Sequence, residues 1–130
     1  MIVDTSALVA IVVREPGFER LLELMTDPGS SAAIGTSTVA ELALVLSARL
    51  GSDSQLLVTG LLDHLGISTV EFTEAHWRAA ASAFWLYGRS RHPAGLNFGD
   101  CLTYAVASLA DEPLLFVGED FTHTDLIPAL

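Results

Sequence analysis

Lysine is absent from this sequence of 130 residues. Its six basic residues are all arginine, set against sixteen acids, and the formal net charge is −10. Such a balance excludes broad non-specific binding of nucleic acid, which needs a basic face to displace counterions. Any contact with a polyanion has to be local, cation-assisted or both. Cysteine is nearly missing too: Cys101 stands alone, which excludes an internal disulfide and a thiolate-cluster metal site and fits a reducing compartment. No run approaches the ~18 uninterrupted apolar residues of a membrane span, and the start lacks the basic region of a signal peptide. Internal repeats, linkers and low-complexity segments are lacking as well. The expectation is one domain over residues 1–130, cytoplasmic and off the membrane.

What is present is largely apolar. Apolar residues make up 51% of the chain and the mean hydropathy is +0.48, high for a free-standing domain, so a partner or a second copy is expected to cover part of the surface. Met1, Ile2 and Val3 form a short apolar run that ends in Asp4, followed by Thr5, Ser6 and helix-compatible Ala7 and Leu8. This reads as a buried strand delivering one acid to its C-terminal tip, where open parallel α/β sheets hold their ligands. Thr5 to Val13 predicts a short helix. Phe18, Leu21, Leu22 and Met25 repeat at helical spacing after Pro16, until Asp27-Pro28-Gly29 stops them. Ser31 to Gly35 reads as a strand, and Thr36 launches a helix with Val39, Leu42, Ala43, Leu46 and Leu50 on one face, ended by Gly51. Leu56 to Leu65 predicts a helix closed by Gly66, Ile67 to Phe72 an alternating strand, and Thr73 to Tyr87 a long helix. A last helix begins at Asn97 and ends near Ala110, before a strand over Leu114 to Val117. The alternation predicts an α/β fold, a central parallel β-sheet flanked by helices on both faces.

The sharpest signal is where charge is missing. Residues 1–13 carry only Asp4, residues 28–48 only Glu41, and residues 93–110 only Asp100. These windows span 52 residues with three charges, where the chain average of 17% would give about nine. Each acid has a local explanation. Asp4 can cap the helix that follows it, Thr38-x-x-Glu41 has the spacing of a capping box, and Asp100 can offset the macrodipole of a helix capped by Asn97. Their joint occurrence favours another reading. A carboxylate in an apolar segment is costly unless paired or bound to a cation, and no arginine lies in these windows. Converging acids would raise one another's proton affinity, and a divalent ion would relieve the repulsion. Hard oxygen ligands suit Mg²⁺ or Mn²⁺, one ion or two, leaving coordination positions for water and a substrate phosphate. No histidine pair at ligand spacing supports Zn²⁺.

Glu119, Asp120 and Asp125 follow the last strand. Asp120 is the expected fourth acid, beside the bulky anchor Phe121, with Glu119 as its competitor and a solvated acidic turn as the plain reading. Arg89 and Arg91, in the only basic cluster, could hold flanking phosphates or complement a helix end. Trp77, Phe84 and Trp85 read as core or dimer surface before base-stacking platforms. Cys101 is expected buried, and His123, three residues after Asp120, uninvolved.

The opening Ile2-Val3-Asp4-Thr5-Ser6-Ala7, the segment Val39-Ala40-Glu41, Asn97-Phe98-Gly99-Asp100 and the closing Gly118-Glu119-Asp120-Phe121 with Thr124-Asp125-Leu126 resemble, in order and spacing, a PIN-domain ribonuclease of the VapC toxin type. The resemblance covers essentially the whole chain. It implies a PIN fold, Mg²⁺- or Mn²⁺-dependent cleavage of RNA, and a cognate VapB-type antitoxin through which alone DNA would be reached. It further implies Asp4 and Asp100 as principal metal ligands, Glu41 as the third acid, Asp120 as the fourth, and Thr5 and Ser6 as hydroxyls lining the pocket. A homodimer is expected from the apolar surplus. The competing readings are an acid-site phosphatase, which would want a second acid where Ser6 stands, and a non-catalytic partner-binding module whose acids only cap helices.

Overall fold

Neighbouring strand residues enter two separate cores, because successive side chains of a strand point to opposite faces of its sheet. Ile2 and Leu114 belong to one core, Val3 and Leu115 to the other, and all four are buried. The computed structural model describes residues 1–130. In chain order the elements are β1 (Ile2–Val3), α1 (Thr5–Val13), α2 (Phe18–Thr26), β2 (Ala33–Gly35), α3 (Thr36–Leu50), α4 (Gln55–Leu65), β3 (Ser68–Val70), α5 (Glu74–Tyr87), α6 (Phe98–Ala110) and β4 (Leu114–Leu115). The strands form one sheet in the order β3-β2-β1-β4, and every pairing is parallel. The larger core lies under α1 to α4 and includes Leu8, Ile34, Leu42 and Leu46. The smaller lies under α5 and α6 and includes Ala83, Leu96, Val106 and Phe121. The α/β architecture with helices on both faces is therefore as the alternation predicts.

Local chemistry explains the element ends. α1 is apolar on nearly every side, and Thr5 together with Ala7 through Ile11 is buried, as for a helix enclosed by neighbours rather than lying on a surface. α6 packs so closely on β2 that a Cβ at Gly35 would stand 2.7 Å from Val106 Cγ2. The strands are shorter than their apolar runs suggest. β4 stops at Leu115 because the Val117 N–H leaves the ladder and donates to Ser6 Oγ at 3.0 Å. β3 stops at Val70, and the Phe72 N–H donates to Thr36 Oγ1 at 3.1 Å.

This order places the site. The chain steps from β1 outward to β2 and β3, then returns through α6 to add β4 on the other side of β1. The crevice at such a switch point, outside the carboxyl ends of the strands, is where open α/β sheets bind ligands. Asp4 leaves β1 there, α3 begins there after β2, and α6 starts there before running back to feed β4.

Candidate active site

The cleft at this sheet edge has a volume of about 310 Å³, and its walls include Asp4, Glu41, Asp100 and Asp120. The three solitary acids, more than ninety positions apart at the extremes, thus share one depression with an acid from the last loop. Glu119 is not among the walls, so Asp120 is the residue of the acidic turn that faces the cleft.

Asp4 is 6% exposed. It caps α1 by accepting the Ser6 N–H at 2.9 Å. It also accepts from Ser6 Oγ at 2.6 Å and, across the core, from Thr103 Oγ1 at 2.8 Å. Capping does not exhaust the carboxylate, since each of its oxygens accepts from more than one direction. Thr103 is fully buried, and its hydroxyl also lies 3.2 Å from Thr38 Oγ1. This chain of hydroxyls behind Asp4 was not legible in the sequence; the one signal is Thr103 at i+3 from Asp100.

Glu41 makes no capping box. Thr38 lies inside α3, which begins at Thr36, and its hydroxyl is turned to Thr103. Glu41 instead accepts from Thr5 Oγ1 at 2.5 Å. Its carboxylate fills the space where Gly99 would carry a Cβ, so any side chain at Gly99 displaces it. Asp100 does complete a capping box: its Oδ2 accepts the Asn97 N–H and Asn97 Oδ1 accepts the Asp100 N–H, both at 2.9 Å. Burial, opposed by that backbone bond, pushes the Asp100 carboxyl up from 3.8 to about 6, and the charges of Asp120, Asp4 and Glu41 add to the rise. No basic side chain is ion-paired with these acids: the molecule's ion pairs join the N-terminus to Glu112 and Arg78 to Glu74, away from the cleft.

The expected substrate contacts fall in different places. Thr5 and Ser6 line the cleft, but their hydroxyls are directed at Glu41 and Asp4, so they orient the acids. Arg89 and Arg91 are not in its walls; both sit in the turn after α5, and the Arg91 guanidinium lies 4.0 Å over the Trp85 ring. The basic residue in the walls is Arg49, which the sequence reading did not single out. It follows Glu41 and Val45 at i+8 and i+4 on one face of α3, and that spacing could have found it. Trp77, Phe84 and Trp85 are exposed rather than core. Cys101 is buried, and His123 is exposed outside the cleft.

No three histidine, cysteine, aspartate or glutamate side chains stand as a ready-made metal cage. The donors of the cleft are carboxylate and hydroxyl oxygens, without nitrogen of histidine or sulfur, a hard set suited to Mg²⁺ or Mn²⁺. Glu41 Oε2, Asp100 Oδ1 and both oxygens of Asp120 accept no protein hydrogen bond. An open arrangement of this kind fits an ion that keeps several waters better than a closed cage would.

Residues 1–126 match the family model described as PIN domain. The chain is 45% identical over 126 residues to Ribonuclease VapC36 of Mycobacterium tuberculosis, covering 97% of this chain and 91% of that protein. It is 44% identical over 130 residues to Ribonuclease VapC42 of the same species, covering 99% and 98%. Among solved structures, the sarcin-ricin loop cleaving toxin VapC20 of M. tuberculosis superimposes with a TM-score of 0.76 at 16% identity, over 97% of this chain and 95% of that one. VapBC2 from Rickettsia felis, bound to a DNA fragment from its promoter, gives a TM-score of 0.70 at 18% identity, over 98% and 95%. The structural likenesses bear on the fold, and the sequence identities carry the assignment: the chain belongs to the PIN-domain family, in its group of VapC ribonucleases.

Proposed function

We propose that the protein is a divalent-metal-dependent endoribonuclease, the toxin of a type II toxin–antitoxin pair, that hydrolyses RNA phosphodiester bonds at the acid cleft. The observation that carries the reading is the convergence of Asp4, Glu41, Asp100 and Asp120 in one cleft with no paired cation. Asp4 and Asp100 would hold Mg²⁺ or Mn²⁺, with Asp120 as a further carboxylate of the same cleft. The ion, when bound, would polarise a backbone phosphate and lower the pKa of a bound water.

The remaining work falls to the protein's own groups. Ser6 and Thr103 fix the Asp4 carboxylate, so it does not reorganise when charge develops beside it. Thr5 holds Glu41 Oε1 and leaves Oε2 free to orient the attacking water or take its proton. Asn97 anchors one oxygen of Asp100 and leaves the other to the cleft. A VapB-type antitoxin would block this cleft and supply the contact with DNA. The partner reading is supported by the relatives' names and by solved toxin–antitoxin complexes of the same fold. The exposed Trp77, Phe84, Trp85 and Phe98 on α5 and α6, with half-buried Leu102 between the helices, support a homodimer.

Protein purified free of any partner is expected to cleave RNA with Mg²⁺ or Mn²⁺ and to stop on addition of EDTA, with Asp100→Asn inactive under both conditions. Cleavage that survives EDTA, or an Asp100→Asn protein as active as wild type, contradicts the reading.

A further inference from the structure

We infer that Arg49 is a positioning residue that holds a phosphate flanking the scissile one and so sets the direction in which an RNA strand lies along α3. The inference rests on the ribonuclease reading above.

An acidic cleft has a difficulty with its own substrate: RNA is a polyanion, and the acids of the walls repel every phosphate except the one a cation neutralises. Arg49 is the one basic side chain in the cleft walls. It has no ion-pair partner, although Glu15 lines the same cleft. The other arginines lie elsewhere: Arg78 pairs with Glu74 and sits 4.6 Å over Trp77, and Arg91 sits over Trp85.

Placement supplies the direction. Glu41, Val45 and Arg49 follow one another at successive turns of α3, so Arg49 stands ~12 Å along the helix axis from Glu41. At that separation it serves a neighbouring phosphate and not the reacting one. Val45, between them on α3, is apolar and adds no charge of its own. A guanidinium gives two parallel donors to phosphate oxygens, fixing orientation as well as attraction. Arg49 also lies in the last turn of α3, where a cation complements the macrodipole. That purely structural role would appear in stability and leave substrate affinity unmoved.

The test uses an RNA that the wild-type protein cuts and compares Arg49→Gln with Arg49→Lys. Arg49→Gln is expected to raise KM about tenfold, the loss of one charge-assisted contact, while kcat changes by less than ~threefold. The slope of log(kcat/KM) against log[NaCl] should become shallower by about 0.7, one single-strand phosphate contact. Arg49→Lys should keep the wild-type slope and recover most of the KM. Three outcomes overturn the inference: an unchanged KM and slope, a collapse of kcat at constant KM, or an effect confined to melting temperature. A wild type that cuts no RNA removes the ribonuclease reading itself, a result distinct from wild-type cleavage that Arg49→Gln leaves untouched.

Discussion

Two depressions flank the first turn of α6, and they have opposite chemistry. Asn97 and Asp100 face the acid cleft, while Phe98, Cys101 and Leu102 face a groove of about 470 Å³ against Trp77, Ala80, Ala81 and Phe84 of α5, apolar throughout. The groove is the larger. It carries no charge, and its only side-chain polar groups are the Trp77 indole N–H and the Cys101 thiol, whereas the cleft holds five carboxylates, those of Asp4, Glu15, Glu41, Asp100 and Asp120. Size alone would select the groove; convergent polar groups with a shifted proton affinity favour the cleft. The boundary is sharp enough to reach Cys101, whose thiol burial raises to about 11, with Asp100 adding to the rise.

Breaking the cleft should have the largest effect. Asp4→Asn keeps an oxygen for the Ser6 N–H but removes the charge, and kcat for RNA cleavage is expected to fall by ~10³-fold. A fall of less than tenfold would remove Asp4 from the centre of the site. Gly99→Ala sharpens the comparison, because the added methyl displaces the Glu41 carboxylate, the flexible end of a side chain. Activity should drop about tenfold while urea midpoints stay level or rise, since alanine is favoured over glycine in a helix by up to ~1 kcal/mol. A loss of stability without loss of activity would contradict the contact.

The cleft should also respond to pH as the groove does not. The Asp100 carboxyl is raised from 3.8 to about 6 in the fold, so the native state binds more protons than the unfolded chain between those values. Metal-free protein gains that stability below about pH 4 and loses it as pH rises through about 6. Melting temperatures in EDTA should therefore show a component that declines between pH 4 and 6.5 in wild type and is absent in Asp100→Asn. The smallest effect belongs to the groove. Trp77→Ser should change the sedimentation behaviour while cleavage per protomer stays within about twofold, and a large loss of cleavage would tie the two depressions together.

The fold was legible where the chemistry is local. Asp4 and Asp100 declare themselves because each follows or opens an element and interrupts apolar sequence; Asp4 caps α1 as the sequence allows, and Asp100, expected only to offset the dipole of a helix capped by Asn97, completes a capping box with it. Charge isolation marks Glu41 in the sequence, but its surroundings are not legible there: Thr5, 36 residues away, and the side of Gly99 that lacks a Cβ. Thr103 and Arg49 were missed because their roles arise only after packing. A buried threonine inside α6 looks like core until Asp4 is laid against it, and an arginine in a last helical turn looks like a response to the dipole until α3 lines the cleft. The strands end short of Val117 and Phe72, where a hydroxyl from another segment takes the backbone donor outside the ladder.

The central claim, that these acids form a divalent-cation site, is most directly tested by thermal melts in increasing Mn²⁺. Wild type should gain stability with the logarithm of Mn²⁺ concentration above its Kd, about 2.7 kcal/mol when the ion reaches 100 times that value, and the Asp4→Asn/Asp100→Asn double variant should gain none. An equal shift in both proteins, or no shift in wild type at millimolar Mn²⁺, would contradict it.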